Sequence, residues 1–372
     1  MRVLLKAMFI LGLFVSCKEE FEPDTIAGKR NLLVVEGFIN TGWGPTTIKL
    51  TRTTDLKDLK RLAPETGAIL SVEGENGFDI KGESDEKGIC TIATGSLDRT
   101  KRYRLRIRTQ NGKEYLSDFL ENRSSPELNV ELGTEEDGVR LYAETEDLTK
   151  ATQYFSWEYE ETWEFHSKFE SRFQVVNGQI EERDPSINIT RCWKTDKSKQ
   201  ILIASTENLS ESKVTQFSLV FLNSLSEKVQ VKYKIKVIQH GITKQGYKYL
   251  SRMKKSTEEI GTIFDPQPTE IKGNIRCITD PNESVVGYLN AGKPSERVLY
   301  ITREMMPQAG PSAKTICEEI RDLGSFDAIS YTTNKYLITS GVPFLGIYHV
   351  APAVCVDCTL SGSNIEPDQW PQ

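Results

Sequence analysis

The sequence predicts a mainly β chain of two sandwich-type domains, and three observations carry that reading. Short β-branched and aromatic runs recur from Asn31 onward, punctuated by Gly, Asn, Asp and Pro. A helical period appears only between Lys244 and Thr257. The 372 residues suffice for two domains, and 38% hydrophobic with 27% charged residues is the balance of a folded chain, not a disordered one. The expected layout is a β-sandwich over residues 31–125, then a larger β-sandwich-type domain over 126–372 with one helix and a cysteine-bearing C-terminal tail.

Ahead of these lies a short leader. Arg2 and Lys6 form a positive start, and Ala7 to Val15 an apolar run too short to span a bilayer as a helix. Phe14-Val15-Ser16-Cys17 has the pattern at which a bacterial lipoprotein is cut and acylated. Residues 1–16 therefore read as a lipoprotein signal peptide, and residues 17–30 as a tether carrying lipid on Cys17. Several acyl chains, at about 0.8 kcal/mol per buried CH₂, would hold such a chain on a membrane essentially permanently. Lys18, Glu19 and Glu20 directly after the cysteine resemble a surface-export signal. The alternative is an ordinary cleaved signal with a chance cysteine.

The elements follow in order. LLVVEGFIN and TTIKLTRTT are the first strands. GAILSVEGENG and FDIKGES make a hairpin about Glu75-Asn76-Gly77, and CTIATG follows. In RYRLRIRTQNGKEYLSD, Tyr103, Leu105 and Ile107 alternate with arginines toward Asn111-Gly112, a pair suited to a type I′ turn. Ser124-Ser125-Pro126 breaks the pattern and marks the boundary. A hairpin about Asp137-Gly138 leads to YFSWEYEETWEF, where Phe155, Trp157, Tyr159, Trp163 and Phe165 share one parity. Period two with aromatics on one side is a half-buried strand. Trp157, Tyr159 and Trp163 are candidates for an aromatic surface that stacks a sugar or ring; the other reading is a core seam. INITRCW, QILIAST and QFSLVFLN continue the strands. In VQVKYKIKVIQ, Tyr233, Ile235 and Val237 point inward while Lys232, Lys234 and Lys236 point out, which discourages edge pairing. SVVGYLN and ERVLYIT are strands; past Met305 loop residues take over, with a single turn of helix, and Trp370 and two cysteines are there to fasten the tail.

Besides Cys17 there are six cysteines: Cys90, Cys192, Cys277, Cys317, Cys355 and Cys358. An even number in an exported chain points to disulfides, with about 15 full pairings open; Cys317 is the first candidate partner for Cys355 or Cys358. A metal at Cys355-x-x-Cys358 lacks two further ligands nearby in sequence. His166, His240 and His349 are scattered, and no nucleophile elbow, P-loop or dinucleotide fingerprint occurs, so no catalytic residue and no cofactor is expected. Glu158, Glu160, Glu161 and Glu164 could supply paired carboxylates for glycan cleavage, and they read more simply as a solvated strand face. Without the leader, 45 basic face 53 acidic residues, a net −8 that disfavours a nucleic-acid partner.

VVEGFIN, YKIKVIQHGITKQGYKYL, GTIFDPQPTEIKGNI, SVVGYLNAG and CVDCTLSGSNIEPDQW, five blocks in order, resemble the Bacteroidota lipoproteins grouped as domain of unknown function 4249. Gln369 stands before Trp370 where those tails carry Phe-Trp. The resemblance implies an immunoglobulin-like first sandwich, a lipid anchor in the outer membrane and a TonB-dependent receptor as neighbour; it implies no activity. The expectation is a non-catalytic, surface-exposed accessory protein that docks on such a transporter or binds a small molecule or glycan. A structural or adhesive spacer is the alternative, and a glycan-active enzyme the third.

Overall fold

The computed structural model describes residues 31–54, 63–258, 272–307 and 317–371. Cys17, Lys18, Glu19, Glu20 and the tether lie outside the described residues. No helix among those described is long and apolar enough to cross a membrane.

The first sandwich has two sheets. In one, Leu33–Asn40 pairs antiparallel with Thr46–Arg52, which also pairs Ala63–Pro64 and Ile89–Ile92. The other runs Glu114–Ser117, Tyr103–Arg108, Ile69–Gly74, Asp79–Glu83. Alternate residues of each strand turn inward, so Val35, Ile48 and Leu50 meet Leu70, Val72, Leu105 and Ile107 in one buried layer. This is the immunoglobulin-like split into two short sheets. The Asn111-Gly112 turn differs from the sequence expectation. Thr109 N–H donates to the Lys113 carbonyl at 3.0 Å and Gly112 N–H to the Thr109 carbonyl at 2.9 Å. Gly112 alone takes positive φ (82°), so the loop has three residues, a tight turn closed by a glycine bulge, not a two-residue type I′ turn.

The second domain is not the contiguous span 126–372. Residues 272–292 return to the first sandwich and cover an edge of each sheet. Ile275–Cys277 pairs with Glu114–Ser117, while Val285–Val286 and Ala291–Gly292 run parallel to Leu33–Asn40. Bare edges invite foreign strands, and the returning segment occupies these two. A partly buried charge cluster fixes it: Glu283 accepts from Tyr115 Oη at 2.6 Å, from Arg52 at 3.2 Å and from Lys113 Nζ. Burial alone would raise the Glu283 carboxyl; the hydrogen bonds from Lys113, Tyr115 and Arg52 outweigh it and hold the group below its ordinary range.

In the second sandwich, Leu128–Glu135, Gly138–Asp147 and Ser212–Asn223 form one sheet. The facing sheet orders Arg191–Lys197, Tyr154–His166, Lys232–Gly241, Ser295–Thr302, with Leu202–Ser205 also on Tyr154–His166. Leu141, Phe155, Trp157, Tyr233, Ile235 and Val237 fill the space between. The outward lysines have neighbours: Lys236 pairs with Glu296 at 2.7 Å, Lys232 donates to the Pro371 carbonyl at 2.7 Å, and Lys234 lies over the Tyr300 ring. The helix spans Lys244–Glu258, within a residue of expectation, and its Tyr249 ring lies 5.5 Å from that of Tyr288 on the returning segment.

The two sandwiches meet closely. Ser125 Oγ donates to the Gln239 carbonyl (2.8 Å) and accepts from Gly241 N–H (2.7 Å). Phe38 and His240 rings lie 4.2 Å apart. Gly292 has to be glycine, since a Cβ there would fall 1.9 Å from the Arg123 carbonyl.

The stretch expected as loop past Met305 contains a third small unit. Ile320–Gly324, Ile347–Pro352 and Tyr336–Val342 form a sheet with the helix Ser325–Thr332 against it. The hairpin Phe173–Val176 and Gln179–Glu182 lies beside them, and Phe173, Ala328, Ile338, Tyr348 and Val350 make the core.

Candidate functional site

The aromatic strand Tyr154–His166 carries the chemistry of the second sandwich, and its alternation sets which group faces which way. Trp157 is 3% exposed, stacks on Phe217 at 4.4 Å and donates its indole N–H to Gln239 Oε1 at 2.9 Å. Trp163 is 8% exposed, and the Tyr159 phenol, half-buried, is pushed up to about 12 chiefly by burial. Of the three residues expected as an aromatic surface, Trp157 and Trp163 belong to the core that the facing sheet closes over, and Tyr159 packs half-buried against it.

The glutamates on this strand correct the reading of a solvated face. Glu158 and Glu160 are exposed, but Glu161 and Glu164 are buried. Glu161 shares the aromatic parity and points inward, where it accepts from Tyr233 Oη at 2.8 Å and from Lys228 Nζ. Burial beside that carboxylate drives the Tyr233 phenol far above its usual range. Glu164 points to the opposite face. Arg191 grips it with two donors at 2.7 and 3.1 Å, His166 Nε2 lies at 2.9 Å, and the Trp370 indole N–H donates at 3.0 Å. Burial opposes ionisation of this carboxyl, yet these partners hold it down at about 2.

Through Glu164 the tail is clamped to the strand. Arg191 also pairs with Glu366 at 3.0 Å, and the Trp193 and Trp370 rings meet edge to face at 6.5 Å. Gly362 lies where a Cβ would meet the Trp193 carbonyl at 2.7 Å and the Phe165 ring at 2.8 Å, so the tail touches the sheet edge there.

The cysteines reinforce the clamp. Cys192 pairs with Cys358 and Cys317 with Cys355. Cys355-x-x-Cys358 is thus neither a metal pair nor a redox pair: each cysteine ties a different segment to the same turn. Cys90 and Cys277 correct the expectation of full pairing; both are free and buried in the first sandwich, and burial, with Asp85 and Glu83 adding to it, pushes the Cys90 thiol up to about 11.

Beside the clamp lies an open groove of about 590 Å³, lined by Trp163 and Trp193, by Thr195 and Asp196 of the edge strand, and by Ser361 and Ser363 of the tail among others. Sequence reasoning singled out Trp163 alone of these. The edge strand INITRCW and the tail CVDCTLSGSNIEPDQW were both legible as segments, but nothing local shows that they adjoin. A second grouping also escaped the sequence: Ser340 Oγ and His349 Nδ1 are 3.0 Å apart, with Asp322 3.6 Å from Nε2 of the same ring. Asp322 is exposed, so this cluster sits on an open surface. Among the described residues no group of His, Cys, Asp and Glu is arranged to hold a metal ion.

No curated protein matches the chain. Residues 18–297 match the family described as Domain of unknown function (DUF4249), so Glu164, Arg191, Cys192 and Trp193 lie inside the matched span and the tail they hold lies beyond it. With well over half of its length matched, the chain belongs to the domain of unknown function 4249 family.

Proposed function

We propose that the chain is a non-catalytic accessory lipoprotein, held at the outer membrane through lipid on Cys17, that docks on a TonB-dependent transporter and serves ligand capture there. The close contact between the two sandwiches, together with a cluster of exposed apolar side chains, is the observation that supports docking over a spacer role. A spacer calls for an extended rod without a sticky end. Here Ser125 and Phe38 lock the first sandwich to the second. On the third unit, Phe326, Phe344 and Leu345 stand 84%, 86% and 60% exposed. They gather at one end, because Gly324 pairs with Ile347 and Gly346 lies against Ser325.

The glycan-active alternative is weakened by what its carboxylates do. Hydrolysis needs two of them facing across a cleft at roughly 5 to 9.5 Å. Glu161 and Glu164 point to opposite faces of one strand, each committed to cationic or hydroxyl partners, while Glu158 lies 3.1 Å from His240 and Glu160 3.5 Å from Lys197.

Affinity purification of the tagged protein in mild detergent tests the proposal. A β-barrel transporter is expected to co-purify in near-equal amount. Recovery of the protein alone, from membranes that contain the transporter, would count decisively against docking.

A further inference from the structure

The groove beside the C-terminal clamp has the polar layout of a strand acceptor. Along the edge strand Arg191–Lys197, Trp193 gives both backbone groups to the tail: its N–H donates to the Ser363 carbonyl at 2.7 Å and its carbonyl accepts from Ser363 N–H at 2.9 Å. In an antiparallel ladder, residues two apart turn their N–H and C=O to the same side. Thr195 therefore directs both groups outward, away from Tyr154–His166. Other outward positions are capped, Arg191 by Asn188 and the Lys197 N–H by the Asp196 side chain. The tail does not reach Thr195, because Ser361 and Gly362 turn back to donate to the Cys358 carbonyl. Among the described residues the Thr195 rung has no backbone partner. It opens into the groove, whose wall includes the Trp193 ring, 4% exposed, with an indole N–H that meets no acceptor among the described residues.

We infer that this groove binds an extended peptide segment of a partner protein by strand addition at Thr195, next to the rung that the chain's own tail makes at Trp193. A peptide supplies the carbonyl and N–H that the open rung lacks, and Ile365, Pro367 and Asp196 are among the groove residues its side chains can meet. A sugar is the poorer fit, since Trp163 and Trp193 are both more than nine-tenths buried and offer no face to stack on. This deepens the docking reading and rests on it only for the identity of the partner.

The test exploits the outward N–H. Thr195→Pro removes that donor and no rung of the internal ladder, at an edge position where proline is tolerated; Thr195→Ala keeps the donor and controls for the lost Thr195–Thr162 hydroxyl contact. The full-length protein in detergent is panned against phage-displayed random linear heptapeptides. Enriched peptides are expected to bind wild type and Thr195→Ala alike and Thr195→Pro about tenfold or more weakly, with the melting temperature of the proline variant unchanged. If the proline variant does not fold, hydrogen exchange at the wild-type Thr195 amide replaces it, and slowing on peptide addition is the expected result. Equal binding by both variants, no enrichment, an amide unaffected by peptide, or glycan-array binding that depends on Trp193 would each overturn strand addition. A Thr195→Pro protein that still co-purifies with a barrel would overturn strand addition and leave docking standing; a wild type that binds peptides but co-purifies with no barrel would do the reverse.

Discussion

Removing the Cys192–Cys358 disulfide by a double alanine substitution is expected to lower the unfolding free energy by about 4 kcal/mol. The two cysteines are 166 residues apart, so the bridge closes a long loop and removes much freedom from the unfolded chain. It also fastens the turn from which the tail crosses to Arg191 and Glu164. Urea unfolding followed by tryptophan fluorescence reads both effects. The midpoint should fall, and a low-denaturant phase should appear as Trp193 and Trp370 separate, since the tail then hangs on the Ser363 rung, the Trp370 indole bond and its ion pairs. A variant with the wild-type midpoint would mean that the clamp carries the tail without help from the bridge.

The second large effect is on acid stability, and Glu164 is its source. Its carboxyl sits at about 2 in the fold against 4.5 for the ordinary group. The folded value is the lower one, so the stabilisation is fully present above pH 4.5 and is lost as the pH falls toward 2. The difference amounts to about 3 kcal/mol. Glu164→Gln is expected to be destabilised by a similar amount at pH 7, because the Arg191 guanidinium loses its two-donor charged partner in a half-buried place and keeps only Glu366. Its decline between pH 4.5 and 2 should be shallower than that of the wild type, with the remainder left to other lowered carboxylates such as Glu283. Unfolding curves of the two proteins at pH 7, 4 and 2.5 make the comparison. Parallel declines would place the acid sensitivity elsewhere, with the Glu283 cluster the next group to test.

These two residues also mark where local reading of the chain ends. Period-two alternation in YFSWEYEETWEF correctly assigns Trp157 and Phe165 to the core, because a strand's inward face is set by parity alone. It misjudges Glu161 and Glu164, because burying a carboxylate depends on partners supplied by distant segments: Tyr233 and Lys228 for one, Arg191 and Trp370 for the other. The helix Lys244–Glu258 was legible because its period is carried within its own residues. The return of residues 272–292 to the first sandwich was not: SVVGYLN reads as a strand, but nothing in it says that Val285–Val286 pairs with Leu33–Asn40 of the first sandwich rather than with its neighbours in sequence. The small unit after Met305 has β-branched runs, YLITSGV and IYHVAP, that signal strands, but the turn-rich residues around them mask it.

The groove was illegible for the same reason as the buried acids. Thr195 is unremarkable in sequence, and only the register with Ser363 leaves its backbone groups unpaired. The disulfides were legible in number and not in pattern: Cys317 does pair with a member of Cys355-x-x-Cys358, whereas Cys90 and Cys277 lie in the first sandwich without a bridge.

The proposed transporter partnership depends on the proposed lipid anchor, and the chemistry at position 17 decides it. Intact and peptide mass spectrometry of protein extracted from membranes should find an amino terminus at Cys17 bearing acyl chains, with Cys17→Ala accumulating unacylated. An unmodified cysteine, or a chain that still begins at Met1, would contradict the account at its root.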